Sequence, residues 1–200
     1  RLPVTSARNE YDAVGRLTRI GVPTLSVAAY TVEGRNPARQ RSLLVTDELT
    51  GTISLEDFCE HWASKPPSFA VRSKLIRVLA DSARRMHGAG INHRDFYLCH
   101  FHLAEDTLAS ESPRCHIIDL HRAQLRERTP RRWRVKDLAG LYFSAIDCGL
   151  QRRDILRFMR DYSEGGLRLA LTQDKRFWQQ VEQRARALYR RERGAEAPVL

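Results

Sequence analysis

Disulfide-forming cysteine, lysine and long apolar runs are scarce or missing in this chain of 200 residues. The four cysteines are far apart and form no CxxC pair, which predicts reduced thiols rather than a disulfide framework. No apolar run has the length that a bilayer-spanning helix needs. The chain begins at Arg1 without an apolar leader, so we expect no secretory signal and expect residues upstream to be missing. Together these absences predict a soluble or peripheral protein.

Positive charge is plentiful, and arginine supplies most of it. The formal net charge is +10, and lysine occupies only four of the 34 basic positions. Because guanidinium groups bind phosphate and carboxylate in a planar, two-pronged contact, an anionic partner is predicted: a nucleotide, a nucleic acid, an anionic lipid or an acidic sugar. For any single arginine, a merely solvated surface stays an open alternative.

Hydrophobic periodicity predicts a mixed chain that is mostly helical after its first quarter. A first helix capped by Ser6 and ended by Gly21 is followed by strands at 24–31 and 42–46, joined by a turn at 34–37. Ser54 opens a short helix, to about residue 62, with a capping box. Further helices are predicted at about 71–88, 135–148, 153–164 and from 174 onward.

Two aspartates carry the chemistry that the sequence predicts. Asp95 follows the long helix within INHRD, and Asp119 ends the apolar run CHIID. If the runs on either side of the polar turn 104–114 are strands, the hairpin brings Asp95, His100 and Asp119 together. A carboxylate can accept a hydroxyl proton, and carboxylate oxygen suits Mg²⁺, so a metal-assisted phosphoryl transfer is predicted. His-Arg-Asp, a hairpin and a strand-terminal Asp also follow the order of the protein-kinase catalytic loop.

The kinase order assigns roles to the residues before that loop. Glu10 becomes the helix carboxylate that pairs with the ATP-contacting lysine, although an ordinary exposed carboxylate is the alternative. Asp47, Glu48 and Leu49 become the hinge whose backbone faces adenine. No glycine-rich loop and no strand lysine precede Glu10. We therefore predict an α+β, protein-kinase-like fold, with a partial N-lobe over 1–48 and a mostly helical C-lobe over 49–200.

His100 departs from the protein-kinase pattern, which has a metal-binding asparagine at this position. Imidazole is the poorer Mg²⁺ ligand, so His100 is predicted to position a phosphate or hydroxyl, or to bind the metal weakly. Arg94 is predicted to be catalytic or to hold a carboxylate, and His93 to be scaffold. The interval from Asp119 to Asp137 is too short for a peptide groove, which favours the hydroxyl of a small molecule or glycan as acceptor.

A zinc site is the other chemistry that these loops suggest. Its possible ligands are Cys99, His100, His102, Cys115 and His116. Along a strand, Cys99 and the two histidines at 100 and 102 would lie on opposite faces, and the spacing of a closed zinc site is missing. Zinc is therefore not favoured.

Several long stretches resemble the lipopolysaccharide core kinases of Gram-negative bacteria, and within them the core heptose(I) kinases. They include RLPVTSARNEYDAVGRLTRIGVPT, SLLVTDEL, HGAGINHRDFYLCHFHL, IIDLHRAQ and RWRVKDLAGLYFSAIDCGLQRRDILRFMRDY. The resemblance implies a protein-kinase-like fold and transfer of phosphate from ATP, with Mg²⁺, to a hydroxyl of the first inner-core heptose at the cytoplasmic face of the inner membrane. It also implies that Asp95 is catalytic, that Asp119 binds the metal and that Glu10 holds the ion-pair position. His100 then belongs to the family's own form of the loop.

The acidic inner core that this resemblance implies gives the arginines a predicted partner. Arg122, Arg126, Arg131 and Arg132 are predicted to bind the core. The basic last helix is predicted to lie on an anionic membrane surface or to receive an acidic helper protein such as an acyl carrier protein, with a solvated face as the alternative.

Two other functions stay open beside the kinase. Arginine content suggests a nucleic-acid-binding module, although few aromatic residues alternate with the basic ones, so no nucleic acid is expected. The histidine at position 100 and the missing upstream motifs suggest a catalytically inactive kinase-like scaffold.

Overall fold

The computed structural model of the chain describes residues 7–36 and 39–198, which form an α+β fold. Within these residues the α-helices are α1 (Ala7–Arg19), α2 (Leu55–Cys59), α3 (Phe69–Gly88), α4 (Arg131–Ala145), α5 (Arg152–Tyr162), α6 (Gly166–Leu171) and α7 (Lys175–Arg193). The strands are β1 (Val27–Glu33), β2 (Arg41–Thr46), β3 (Thr52–Ser54), β4 (Ile91–Asn92), β5 (Phe101–Ala104), β6 (Cys115–Ile117) and β7 (Gln124–Leu125). All strand pairs between these elements are antiparallel.

Helix α1 is the predicted first helix, and it buries one face. Ala13, Val14 and Leu17 are buried, because they recur at helical spacing. The helix ends where Gly21 takes the left-handed conformation (φ 66°) and the Val22 N–H donates to Leu17 O at 3.0 Å. The Ser6 cap that was predicted lies outside the described residues.

The β1–β2 hairpin is present, but β1 starts later than predicted. The segment at Thr24 is engaged elsewhere: it bridges to Ile117 of β6, and Thr24 Oγ1 donates to Ile117 O at 2.6 Å. The pairing register then shifts between Val27 and Ala29. Pro37, in the predicted turn, lies outside the described residues. The hairpin is thus tied at its base to the strand that precedes Asp119.

Strands β3, β5 and β6 form one sheet in that order, and it contains the predicted second hairpin. The first strand of this hairpin covers only the end of the apolar run that precedes the turn. Ile91–Asn92 pairs with β7 instead, and Leu98–His100 is a 3₁₀ turn. Arg94 has φ 80°, and this left-handed conformation interrupts the extended backbone before β5 begins. Strand β3, at three residues, is too short for a periodic signal.

The helical part is built on α3, which packs against α5, while α4 packs against α7. Arg72 of α3 is buried and bonds Asp154 Oδ2 at 2.9 Å and Gly149 O at 3.0 Å, so it ties α3 to the start of α5. None of the described helices combines the length and the apolar composition that crossing a bilayer requires.

Helix α4 begins four residues before the predicted position. Pro130 stands immediately before it, where a fixed φ of −59° favours helix initiation. Arg131, Arg132 and Arg134, which precede the predicted start of the helix, therefore lie in its first turns. Helix α6 was not predicted, because Gly165 and Gly166 suggested a break and the helix has only six residues.

Gly90 sets the distance between α3 and the segment that follows Asp119. It has φ 78°, and a Cβ atom there would lie 2.0 Å from Arg126 O. The Arg126 N–H donates to Gly90 O at 2.9 Å, and β4 and β7 pair next to it. This close approach is possible only for glycine, and it brings the basic segment beside the catalytic loop.

Candidate active site

Asp137, in α4, fixes the backbone of the loop that contains Asp95. It is fully buried, and its Oδ2 accepts from His93 N at 2.7 Å while its Oδ1 accepts from Arg94 N at 2.9 Å. His87 Nε2 lies 3.3 Å from Oδ2. These bonds hold Arg94 in its left-handed conformation. This role was not predicted, because the spacing of apolar residues in α4 does not distinguish a buried aspartate from a solvated one.

His93 is buried scaffold, as predicted. Its Nε2 donates to Ile118 O at 2.9 Å, which joins the catalytic loop to β6 and the residues after it. Burial lowers the pKa of His93, so the ring is neutral at neutral pH. It stacks on His100, with ring centroids 5.6 Å apart and planes within 10°.

Asp95 points to the surface of the site with a partly exposed carboxylate. Arg122 lies in the 3₁₀ turn that follows Asp119, and its guanidinium bonds Asp95 Oδ1 at 2.9 Å. The exposed fractions of the two side chains are 46% for Arg122 and 17% for Asp95. This ion pair closes the loop of Asp95 against the loop of Asp119, at a position that solvent and substrate can reach.

Asp119 occupies a left-handed conformation (φ 59°) at the start of that turn. Its Oδ1 is bonded to His121 Nδ1, and its Oδ2 lies 3.3 Å from His100 Nε2. His100 Nδ1 in turn lies 2.6 Å from Asp95 O. The predicted meeting of Asp95, His100 and Asp119 is therefore present, with His100 between the two aspartate loops.

The hydrogen bonds of His100 determine what its other nitrogen can do. Because Asp95 O is a carbonyl acceptor, His100 Nδ1 must carry a proton and donate it. A neutral ring then turns the Nε2 lone pair toward Asp119 Oδ2. Two lone pairs at 3.3 Å repel each other unless a cation, either a proton or a metal ion, lies between them.

Helix α1 reaches the Asp119 loop through two neighbouring residues. Asn9 Nδ2 donates to His121 O at 2.9 Å and to Ala123 O at 2.6 Å. Burial raises the pKa of Glu10, against a lowering by its hydrogen bond to the Leu120 backbone, and Asp119 adds to the rise. Glu10 is thus half-buried beside Asp119 rather than an ordinary exposed carboxylate.

The predicted hinge connects β2 to β3. Asp47 N donates to Ser26 O at 3.0 Å, and Thr52 Oγ1 donates to Leu49 O at 3.1 Å. The side chains of Asp47 and Glu48 are exposed. That their backbone faces adenine stays a prediction.

The side chains of the four predicted substrate-binding arginines make contacts in different parts of the structure. Arg126 and Arg132 lie over the indole of Trp133, whereas Arg122 bonds Asp95. Arg131 turns away: its guanidinium lies 5.7 Å from the Phe177 ring centroid and its Nε donates to the side-chain oxygen of Gln180. The structure therefore separates Arg131, which contacts α7, from the other three.

Arg94 directs its guanidinium to Trp133 as well, 5.8 Å from the ring centroid. Arg94 was predicted to be catalytic or to hold a carboxylate. It does bind a carboxylate, but through its backbone N–H, which donates to Asp137 Oδ1. Its side chain contacts the indole rather than Asp95.

The donor set at Asp119 suits a hard cation better than zinc. Among residues 7–36 and 39–198, no three His, Cys, Asp or Glu side chains come together as a metal site. Mg²⁺ needs only one or two protein carboxylates when phosphates and water supply the rest, and Asp119 provides one. The lone pair of His100 faces the same place.

A separate apolar cavity of about 380 Å³ lies among the helices. It is lined by Ile76 of α3, Leu141 of α4, Met159 of α5 and Trp178 of α7, among others. None of the predicted site residues is among its described lining. The predicted site residues therefore lie outside this apolar cavity.

Comparison with known proteins gives a consistent result. Residues 1–162 match the model of the lipopolysaccharide kinase (Kdo/WaaP) family. The lipopolysaccharide core heptose(I) kinase WaaP of Pseudomonas aeruginosa is 46% identical over 192 residues, 96% of this chain and 72% of that protein. A protein of the same description from Escherichia coli is 47% identical over 186 residues, 92% of this chain and 70% of that protein.

A solved structure agrees with these matches. It is described as WaaP in complex with acyl carrier protein, and it superposes with a TM-score of 0.85 at 47% identity, covering 92% of this chain and 76% of the other. The prediction of a protein-kinase-like α+β fold is confirmed by this neighbour. The family match covers most of the chain, and the chain belongs to the lipopolysaccharide kinase (Kdo/WaaP) family.

Proposed function

We propose that this chain transfers the γ-phosphate of ATP to a hydroxyl of the first heptose in the lipopolysaccharide inner core. As a member of its family, the chain is an ATP-dependent lipopolysaccharide kinase. The observation that supports the finer assignment is the meeting of Asp95 and Asp119 on the two sides of His100, because one carboxylate could then accept a proton while the other holds a metal ion beside it.

Asp95 is the proton acceptor in this proposal. The heptose hydroxyl attacks the γ-phosphorus, the bond from phosphorus to the oxygen of the ADP leaving group breaks, and the hydroxyl proton goes to the Asp95 carboxylate. Arg122 occupies Oδ1, so Oδ2 is the oxygen offered to the hydroxyl. Asp137 holds the loop from behind, so the carboxylate is in position before the acceptor binds.

Asp119 would hold Mg²⁺, and His100 would present Nε2 beside it. When bound, the ion neutralises charge on the ATP phosphates. The protein's own part is to aim one carboxylate oxygen and one imidazole lone pair at the same place. Glu10, half-buried next to Asp119, would pair with the ATP-contacting lysine.

We also divide the chain into lobes after Glu48. Helix α1 and the β1–β2 hairpin over residues 1–48 form the partial N-lobe, and residues 49–200 form the C-lobe. Asp47, Glu48 and Leu49 join them and offer backbone groups to adenine. The tie from Thr24 to Ile117 supports a nucleotide cleft between hairpin and C-lobe.

Charge and the named relatives support our proposal for the acceptor and for the cellular location. Arg122, Arg126 and Arg132 would bind the acidic inner core at the cytoplasmic face of the inner membrane in a Gram-negative cell. A related solved structure contains acyl carrier protein. An acidic carrier of that kind, or an anionic membrane surface, would meet the arginines of α7.

Replacement of Asp95 by Asn tests the proposed reaction. Asp95→Asn keeps the shape and removes the proton acceptor, so phosphate transfer from ATP to a heptose-containing core should fall by about 10²- to 10⁴-fold. Asp106→Asn is a matched control, since Asp106 is also paired with an arginine but lies in the exposed turn of the hairpin.

Further measurements distinguish the proposed kinase from a misfolded variant and from an inactive scaffold. Circular dichroism and thermal unfolding should be the same for both variants, because neither side chain is part of the core. Turnover by Asp95→Asn equal to that of the unchanged protein would overturn the role of Asp95. An unchanged protein that binds Mg·ATP without any transfer to the core would instead favour the inactive scaffold.

A further inference from the structure

Four cations surround the indole of Trp133. The charged groups of Arg94, Arg126, Arg132 and Lys136 lie 5.8, 5.8, 5.2 and 5.8 Å from its ring centroid. We name these five residues the Trp133 cluster. They come from three parts of the chain: the catalytic loop, the segment after β7 and the first two turns of α4. Tertiary folding, and not a simple run of sequence, assembles them.

Within residues 7–36 and 39–198, no carboxylate forms an ion pair with a cation of the cluster, although Asp95 and Asp137 are near enough to Lys136 to act on its pKa. Arg126 bonds only neutral oxygens, Asn92 Oδ1 at 2.6 Å and Gln124 Oε1 at 2.7 Å. Arg94 Nε is buried without a hydrogen-bond partner among the described residues. Burial lowers the pKa of Arg126, and Arg132 and Arg94 lower it further. The cations therefore repel one another.

The position of the cluster in the fold increases this repulsion. Helix α4 has no acidic residue in its first turn, and Pro130 at its N-cap supplies no side-chain hydrogen bond. The N-terminal end of a helix carries partial positive charge over its first turn, so Arg132, the second residue of α4, stands where a cation is least favourable. An oxyanion bound there would relieve both the helix end and the guanidinium groups.

Ordinary arginine-rich surface in the same protein looks different. On α7, Arg186 pairs with Glu182, Arg190 with Glu196 and Arg191 with Glu192. An abundance of arginine in the chain thus does not by itself leave cations unpaired. The Trp133 cluster differs because its cations converge on one aromatic ring and none of these charged groups is bonded to a carboxylate of the described residues.

The cluster adjoins the proposed proton acceptor. Arg94 precedes Asp95 directly in the chain. Burial lowers the pKa of Lys136, while the nearby charge of Asp95 acts to raise it and that of Arg94 to lower it further. A group held by the cluster would therefore lie beside the hydroxyl that attacks.

We propose that the Trp133 cluster is an oxyanion subsite of the acceptor, which binds a carboxylate or a phosphate monoester on the glycan next to the phosphorylated sugar. This inference rests on the proposed function. It adds Arg94, Lys136 and Trp133 to the acceptor site and removes Arg131, which contacts α7.

Kinetics with three forms of the acceptor test the subsite. The inner-core glycan is used unmodified, with its carboxylates amidated, or with its phosphate monoesters removed by a phosphatase. The variants are Arg132→Gln combined with Lys136→Gln, and Arg153→Gln as the control, since Arg153 is an exposed arginine at the start of α5. The KM for ATP serves as the internal reference.

On the unmodified acceptor, the double variant should raise the acceptor KM by about 10- to 100-fold, the loss expected for a charge-assisted contact. Arg153→Gln should leave it unchanged. On the acceptor that lacks the bound anion, the unchanged protein and the double variant should have the same KM, and the modification that removes the difference identifies carboxylate or phosphate. An equal loss on all three acceptors would overturn the subsite.

A binding measurement separates this inference from the proposed function. Inorganic phosphate, compared with chloride at equal ionic strength, should raise the thermal unfolding temperature of the unchanged protein and of Arg153→Gln, but not that of the double variant. A protein that shows this stabilisation and phosphorylates no acceptor would contradict the proposed function and retain the anion site. A protein that phosphorylates the acceptor but shows neither stabilisation nor the kinetic difference would contradict the anion site alone.

Discussion

The loop that contains Asp95 makes different kinds of contact on its two sides. We call the side that packs on α4 the back, and the side that carries the Asp95 carboxylate the front. Behind it, Asp137 is fully buried and bonded to two backbone N–H groups, with His87 close to the same carboxylate. In front, Asp95 and Asp119 are paired with Arg122 and with histidines on side chains that solvent reaches. The back fixes the conformation of the backbone, whereas the front consists of partners that a substrate or metal can replace.

The energies of the two sides should differ accordingly. A buried charge whose partners are removed costs several kcal/mol, because it cannot regain hydration. An exposed ion pair contributes between zero and about 1 kcal/mol, because water screens it and the side chains lose freedom when they pair. Substitutions on the two sides of the loop therefore test the comparison directly.

The largest effect is expected for Asp137→Asn. The amide keeps one acceptor but turns an NH₂ group toward a backbone N–H, so one of the bonds to His93 or Arg94 is replaced by a repulsive contact. We expect the free energy of unfolding to fall by about 3 to 5 kcal/mol, measured by urea unfolding. The loop should also lose its conformation, with a drop in kcat.

Asp81→Asn is the matched control for this substitution. Asp81 also contacts two donors, the guanidinium groups of Arg84 and Arg85, but its carboxylate lies at the surface of α3. Its loss should change the free energy of unfolding by less than about 1 kcal/mol. If the two variants were equally stable, burial would not be what distinguishes the back of the loop.

The sequence was informative about the front of the loop. Asp95 and Asp119 follow recognisable signals, a helix that ends at glycine and a short apolar strand, so their meeting across a hairpin could be predicted. The contact of Glu10 with the Asp119 loop followed only from the kinase order. These positions could be predicted because they depend on nearby sequence or on a known motif.

The contacts at the back of the loop could not be predicted from the sequence in the same way. Asp137 acts through bonds to residues more than 40 positions away, and nothing in the periodicity of α4 distinguishes a buried acceptor from a solvated carboxylate. The left-handed backbone at Arg94, which separates β4 from β5, depends on those same bonds. The start of α4 was also misplaced, so the convergence on Trp133 was not visible.

A smaller effect is expected for Arg122→Gln at the front of the loop. It should change the acceptor KM rather than the free energy of unfolding. The exposed pair with Asp95 should contribute less than about 1 kcal/mol to stability. Loss of a cation at the mouth of the site should instead raise the acceptor KM, by about 10-fold if Arg122 contacts an anionic group of the glycan. Urea unfolding and steady-state kinetics on the same preparation separate the two. A loss of stability as large as that of Asp137→Asn would show that the front is structural too.

The smallest effect is expected for His93, at the back of the loop. It concerns the pH dependence of the free energy of unfolding. Burial lowers the pKa of His93 below its ordinary value of about 6.5, so the unfolded chain binds a proton that the folded one does not. Stability from this residue is then fully present above pH 6.5 and declines as the pH falls below it, by less than about 1.4 kcal/mol per pH unit.

His93→Gln keeps a donor for Ile118 O and cannot be protonated, so the unfolding free energy of this variant should change less between pH 7.5 and 5.5 than that of the unchanged protein. Burial also lowers the pKa of His102 and His116, which gives both proteins a remaining slope of the same sign. The difference between the two curves therefore isolates His93. Parallel curves would mean that the ring accepts a proton in the folded state, which its burial between Ile118 O and His100 makes unfavourable.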